Sequence, residues 1–227
     1  MKRHIPNLIT LLNLASGFTA VIFIMHGDIL TASWVLVAAL FFDFADGLAA
    51  RLLKAWSELG KELDSLADVV SFGVAPGLLV YTLAGDSAPQ WARILLSAML
   101  PVLAALRLAK FNTDPDQKDS FVGLPSPAAA IAIITLVLSM AHSGKGTPDL
   151  VAGNQIALFA YSSFFAVLMV TPVRLLSLKM KSTGFRANFR RYLLVVSVAA
   201  VIIIAGYKGL FLITPLYLLV SFTDYLS

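Results

Sequence analysis

The stretch Asp43–Asp68, DFADGLAARLLKAWSELGKELDSLAD, sets four aspartates, two glycines and an arginine between two long apolar runs. In a soluble protein these would be ordinary surface charges. The composition excludes that setting. Of 227 residues, 59% are hydrophobic and only 13% are charged, where a soluble domain carries about 25%. The aspartates therefore belong to an integral membrane protein, in which a carboxylate near membrane depth is costly unless it is paired or binds a cation.

Working outward, apolar segments long enough to span a bilayer fall at Leu8–Met25, Ile29–Leu53, Leu63–Leu83, Trp91–Ala109, Ser126–Ala141, Ile156–Leu176, Leu193–Gly206 and Leu210–Leu226. The expected fold is all-α, a single polytopic membrane domain over residues 1–227 with about eight transmembrane helices. The opening MKRHIPNLIT has the charged start of a signal peptide. Its apolar run continues to Met25 without a small-residue cleavage pattern, so it is expected to remain as the first span.

Lysines and arginines set the orientation. With the N-terminus in the cytoplasm, Lys2, Arg3, Arg51, Lys54, Lys61, Arg107, Lys110, Lys118 and the basic residues of Arg174–Arg191 share that side. Only Arg93, Lys145 and Lys208 face the other way. The positive-inside rule then puts both termini and the aspartates on the cytoplasmic side; the expected location is the inner membrane of a prokaryote. The net charge of +4 is topological and gives no reason to expect nucleic-acid binding. The segment LKMKSTGFRANFRR suits an anionic lipid surface. The chain has no cysteine, which removes disulfides and thiolate metal sites.

Helical spacing gives the aspartates their shared geometry. Asp43 and Asp46 are three residues apart on the second helix, with Gly47 and Ala50 on the same face; Asp64 and Asp68 are four apart on the third. A turn near Ser57–Gly60 brings the two helices antiparallel, and the four carboxylates converge. Together they would repel at neutral pH unless a divalent cation sat between them. An all-oxygen site suits Mg²⁺ or Mn²⁺. The small side chains on the Asp43 face leave room for a flat ligand, and Arg51 can pair bidentately with phosphate. These features point to a nucleotide diphosphate site.

The spacing Asp-x2-Asp-Gly-x2-Ala-Arg-x8-Gly-x3-Asp-x3-Asp, met here by Asp43, Asp46, Gly47, Ala50, Arg51, Gly60, Asp64 and Asp68, resembles the signature of the CDP-alcohol phosphatidyltransferases. The resemblance implies a homodimeric membrane enzyme with a six-helix core, here about residues 6–176, plus additional C-terminal spans at about 193–226. Such an enzyme moves a phosphatidyl or similar group from a CDP-linked donor to an alcohol and releases CMP. The resemblance also implies roles. Asp43, Asp46, Asp64 and Asp68 would hold two divalent ions, Mg²⁺ or Mn²⁺, and Asp68 would act as general base. Gly47, Ala50, Arg51, Ser57 and Gly60 would take the CDP-diacylglycerol donor. The PNLIT segment, including Pro6, Asn7 and Thr10, resembles the family's nucleotide-contacting stretch before the first span.

Three further stretches, DSLADVVSFGVAPG, RLAKFN and FVGLPSPAAA, resemble the membrane-bound branch that makes phosphatidylserine, over roughly Pro6 to Ala130. They imply L-serine as acceptor, with Arg107, Lys110 and Asn112 near its carboxylate or the lipid phosphate. Gly123 and Pro125 read as a turn near the cleft. Basic residues at a helix end also satisfy topology alone, so acceptors bearing phosphate, glycerol 3-phosphate or an inositol phosphate, stay open. A cation transporter using the aspartates is the reading from another class. It would require polar residues across several spans, and the later spans have few.

Overall fold

A computed structural model describes residues 4–86, 88–113, 123–141, 146–173, 175–176 and 185–222, the side chains of 185–187 excepted. Lys2, Arg3, Lys118, Phe121, Val122, His142, Lys145, Arg174, Lys179 and Lys181 lie outside that range. All regular structure among the described residues is helical.

Helix α1 (His4–Met25) and helix α2 (Ile29–Leu52) form the most extensive helix pair. They turn through Gly27, at φ +81°, and Asp28 caps α2 by accepting a hydrogen bond from the Thr31 amide. Helix α3 (Glu58–Leu83) follows and is wider than an α-helix over Val69–Val74, a π-helical turn. Its cause is readable. Pro76 offers no N–H to the Phe72 carbonyl four residues back, and the Ala75 amide reaches Val70 instead. Helix α4 (Gln90–Thr113) packs against α3, where Gly73 and Gly77 admit Pro101 and the Ser97 carbonyl.

Helix α5 (Ser126–Ala141) is the centre of the bundle, buried over nearly its whole surface. At about 1.5 Å per residue it is roughly 24 Å long, short of a full hydrocarbon core. The short α6 (Thr147–Gly153) and α7 (Gln155–Val170) meet at a bend of 96°. Helix α8 (Phe185–Ala205), a 3₁₀ segment at Gly206–Leu212 and α9 (Ile213–Phe222) are the last described elements. By length and composition, five stretches among the described residues can cross a membrane, or six with the bent pair. One of them, Asn188–Phe222, has 35 residues, which as one helix would run about 52 Å. It does not stay straight. Gly206 stands at φ +57° and Leu194 packs with Val220, so α8 and α9 fold back as a hairpin.

Several boundaries differ from the sequence expectations. The first helix already contains Pro6–Thr10, so PNLIT lies in its opening turns and not before it. The turn between α2 and α3 is Leu53–Trp56, with Lys54 at φ +50°, and Ser57 is the N-cap of α3. Gly60 therefore belongs to the first helical turn. Helix α3 starts at Glu58 and not Leu63, because its first turns are amphipathic and hydropathy undervalues them. Helix α4 runs one turn past Ala109, and α8 begins well before Leu193.

Candidate active site

The sequence-selected aspartates meet where α1, α2 and α3 come together. Carboxylate oxygens of Asp43, Asp64 and Asp68 all lie within 4.8 Å of one another, the one such cluster of potential metal ligands among the described residues. Asp46 borders them, lining the same cleft as Asp64. Its Oδ2 accepts a hydrogen bond of 2.6 Å from Thr10, whose hydroxyl is also 3.1 Å from the Pro6 carbonyl. Asp46 and Asp68 are almost fully buried, with 6% and 5% exposure.

An oxygen-only donor set at this spacing fits a divalent cation of the Mg²⁺ or Mn²⁺ kind. A second observation agrees. Asp68 Oδ1 is buried and has no hydrogen-bond donor, while its partner Oδ2 accepts from Ser126 at 3.3 Å. A buried carboxylate oxygen without a donor is costly unless something positive faces it.

Beside the cluster lies a cleft of about 600 Å³. Of the sequence-selected residues it brings together Pro6, Asn7, Thr10, Asp46, Gly47, Ala50, Ser57, Gly60 and Asp64. Asp64 belongs to both the cleft and the aspartate cluster, so the two are continuous. The glycines differ in what they allow. A Cβ on Gly47 would meet only Arg51 Nη2, at 3.8 Å, leaving the α2 face open. A Cβ on Gly60 would stand 2.9 Å from Asn7 Oδ1 and 3.0 Å from Ser57 Oγ. Gly60 thus lets α1 and α3 close on one another at the cleft. Arg51 is exposed at its margin.

On the other side of the cluster, Arg107 Nη1 donates to Ser126 Oγ at 3.2 Å, and Ser126 donates to Asp68. Arg107 is thus coupled to the aspartates through one hydroxyl. Asn112 lies farther out, donating to Ser65 Oγ at 2.9 Å, and its carbonyl accepts from Lys61 at 3.0 Å. Lys110 is exposed and does not line the cleft. Gly123, at φ +84°, donates to the Val173 carbonyl just past α7 and Leu124 to the Leu168 carbonyl within it, which sets the start of α5, where Ser126 sits.

Sequence reading missed several of these residues. Trp56, Glu58, Lys61 and Phe111 also line the cleft, and Ser126 was passed over inside GLPSPAAA. Asn13, fully buried, has neither side-chain polar atom hydrogen-bonded. The signal for it was present: Pro6, Thr10, Asn13 and Gly17 form one buried stripe along α1.

Comparison with known proteins gives concordant matches. The family model for CDP-alcohol phosphatidyltransferase matches residues 3–171. A CDP-diacylglycerol--serine O-phosphatidyltransferase of Helicobacter pylori is 32% identical over 217 residues, covering 94% of this chain and 87% of that protein. A protein of the same name from Bacillus subtilis is 38% identical over 133 residues, 59% of this chain and 75% of its own length. An archaetidylserine synthase of Methanothermobacter thermautotrophicus is 35% identical over 141 residues, 61% of this chain and 60% of that protein.

Proposed function

The chain belongs to the CDP-alcohol phosphatidyltransferase family, and on that footing we propose that it transfers the phosphatidyl group of CDP-diacylglycerol to the hydroxyl of L-serine, giving phosphatidylserine and CMP. The observation that carries this reading is the continuity of the aspartate cluster with the cleft through Asp64. One end can hold a diphosphate and its cations, the other a nucleotide. The relatives' names support serine as acceptor, since phosphatidylserine and archaetidylserine share the serine and differ in the lipid.

In this reading Asp43, Asp46, Asp64 and Asp68 hold two Mg²⁺ or Mn²⁺ ions. When bound, these neutralise the carboxylates and stabilise negative charge on the diphosphate oxygens. Pro6, Asn7, Thr10, Gly47, Ala50, Ser57 and Gly60 seat the CDP portion, and Arg51 reaches its phosphates from the margin. The serine hydroxyl attacks the β-phosphorus, the bond from that phosphorus to the CMP oxygen breaks, and the hydroxyl proton passes to Asp68. Ser126 orients Asp68 by occupying Oδ2. Arg107 binds the serine carboxylate, with Lys110 and Asn112 at the outer edge.

The reading includes a homodimer in the prokaryotic inner membrane with both termini and the site at the cytoplasmic face. The reversal at Gly206 supports two C-terminal spans and a total of about eight. The test uses purified protein in detergent with CDP-diacylglycerol, Mg²⁺ or Mn²⁺ and labelled serine. Labelled lipid and CMP should form in equal amounts. Transfer to glycerol 3-phosphate with none to serine would overturn the assignment.

A further inference from the structure

Helix α4 contributes one lining residue to the cleft, Phe111. The end of α4 that carries it is held to α3 by a closed ring of three hydrogen bonds. Asn112 Nδ2 donates to Ser65 Oγ at 2.9 Å. Ser65 Oγ donates to the Lys61 carbonyl at 3.2 Å. Lys61 Nζ donates back to the Asn112 carbonyl at 3.0 Å. Each of the three residues thus gives one hydrogen bond and takes one.

The ring has local causes. Lys61 and Ser65 are four residues apart, so they share a face of α3. Carbonyls in the last turn of a helix have no intrahelical donor, and the Lys61 ammonium supplies one at the negative end of α4. Asn112 is therefore tied to α3 through both its side chain and its main chain, and its neighbour Phe111 is set in the cleft wall. The cleft has a second aromatic, Trp56, in the turn before α3. Trp56 is 70% exposed and Phe111 37%, and of the two Phe111 alone adjoins the ring. A wall fixed before its ligand arrives costs less to use than one ordered by binding. Phe111 has no polar side-chain atom, so it offers a ligand its ring. A planar base gains by stacking on such a ring; a diphosphate has no face to stack.

We propose that Phe111 is the stacking surface for the nucleobase of the donor, and that Asn112 is a positioning residue that holds it there through Ser65 and Lys61. None of these four is among the eight fixed positions of the aspartate signature. The inference rests on the reading of the cleft as the seat of the CDP portion, and the experiment tells the two apart.

Purified protein in detergent with Mn²⁺ is titrated with CMP and, separately, with inorganic pyrophosphate. Phe111→Leu keeps an apolar side chain and removes the ring. Its Kd for CMP should rise roughly tenfold, with the Kd for pyrophosphate and the melting temperature at wild-type values. Phe111→Tyr, which restores a ring, should bind CMP as wild type does. Asn112→Ala should raise the CMP Kd by a smaller factor and add nothing in a Phe111→Leu background. KM for CDP-diacylglycerol should follow the CMP Kd through the series. Wild-type protein that binds pyrophosphate but no CMP overturns the reading of the cleft and this proposal with it. Equal CMP binding by wild type and Phe111→Leu overturns the proposal alone, as does an equal loss of CMP and pyrophosphate binding. Unchanged CMP binding in Asn112→Ala, or full additivity with Phe111→Leu, overturns the positioning role of Asn112.

Discussion

Thr10 Oγ1 lies 2.6 Å from Asp46 Oδ2 and ties α1 to α2 at the rim of the aspartate cluster. Both residues are buried, so the bond orients Asp46 with little competition from water. Replacing the hydroxyl by a methyl, Thr10→Val, strands a buried carboxylate oxygen. The expected loss of stability is about 1–3 kcal/mol. The same change should raise KM for CDP-diacylglycerol more than KM for serine, since Thr10 lines the cleft and lies away from Arg107. Thermal melting in detergent and the two KM values check both parts.

Asp68→Asn separates binding from chemistry. The amide keeps the shape and can still bond Ser126, but it cannot accept the hydroxyl proton. Turnover should fall by roughly 10³-fold or more, while CDP-diacylglycerol still binds through the cleft residues. Equilibrium binding of the donor lipid, measured beside the serine-transfer rate, checks the split. Wild-type turnover in this variant removes Asp68 as the base.

The two motif glycines should respond differently to one methyl group. Gly47→Ala meets open space, its nearest neighbour 3.8 Å away, so the melting temperature should hold within the ~0.5 kcal/mol typical of harmless sites. Its methyl nevertheless enters the donor cleft and should raise KM for CDP-diacylglycerol. Gly60→Ala presses on Asn7 Oδ1 and Ser57 Oγ. It should raise the same KM and also lower the melting temperature, because Ser57 caps α3 through the Gly60 amide at 3.0 Å. Equal melting temperatures for the two variants would contradict this account.

The aspartate convergence was legible in the sequence because it depends on helical phase alone: Asp43 with Asp46, and Asp64 with Asp68, each share a face whatever surrounds them. What depends on packing was not. The π-turn after Asp68 follows from Pro76, but its consequence, Gly73 and Gly77 pressed on α4, needs the neighbouring helix to be seen. The start of α3 was hidden because Glu58–Leu63 is polar enough to read as loop. The docking of the hairpin was hidden because α8 and α9 are apolar on most faces, so hydropathy carries no direction. Ser126 and Asn13 each look like a single tolerated polar residue in an apolar run. Only the fold shows what they face.

Asn13 carries the sharpest test of that last point. It lies three residues beyond Thr10 on α1, as Asp43 lies three before Asp46 on the antiparallel α2, so the Thr10–Asp46 bond sets Asn13 level with Asp43. Across the other interface, Ser71 Oγ on α3 donates to the Asn13 carbonyl at 3.1 Å, one turn past Asp68. The side chain is fully buried and neither Oδ1 nor Nδ2 has a partner. An amide held that way costs about 1–3 kcal/mol, a cost that folding alone would not retain. Asn13→Leu, similar in shape, should therefore raise the melting temperature, the direction expected when a site gives up stability for function. It should also lower serine transfer by roughly tenfold or more and weaken the Mn²⁺ dependence of melting, because Asn13 stands on the α1 level of Asp43. A variant that melts lower than wild type and turns over normally would show that Asn13 serves packing alone.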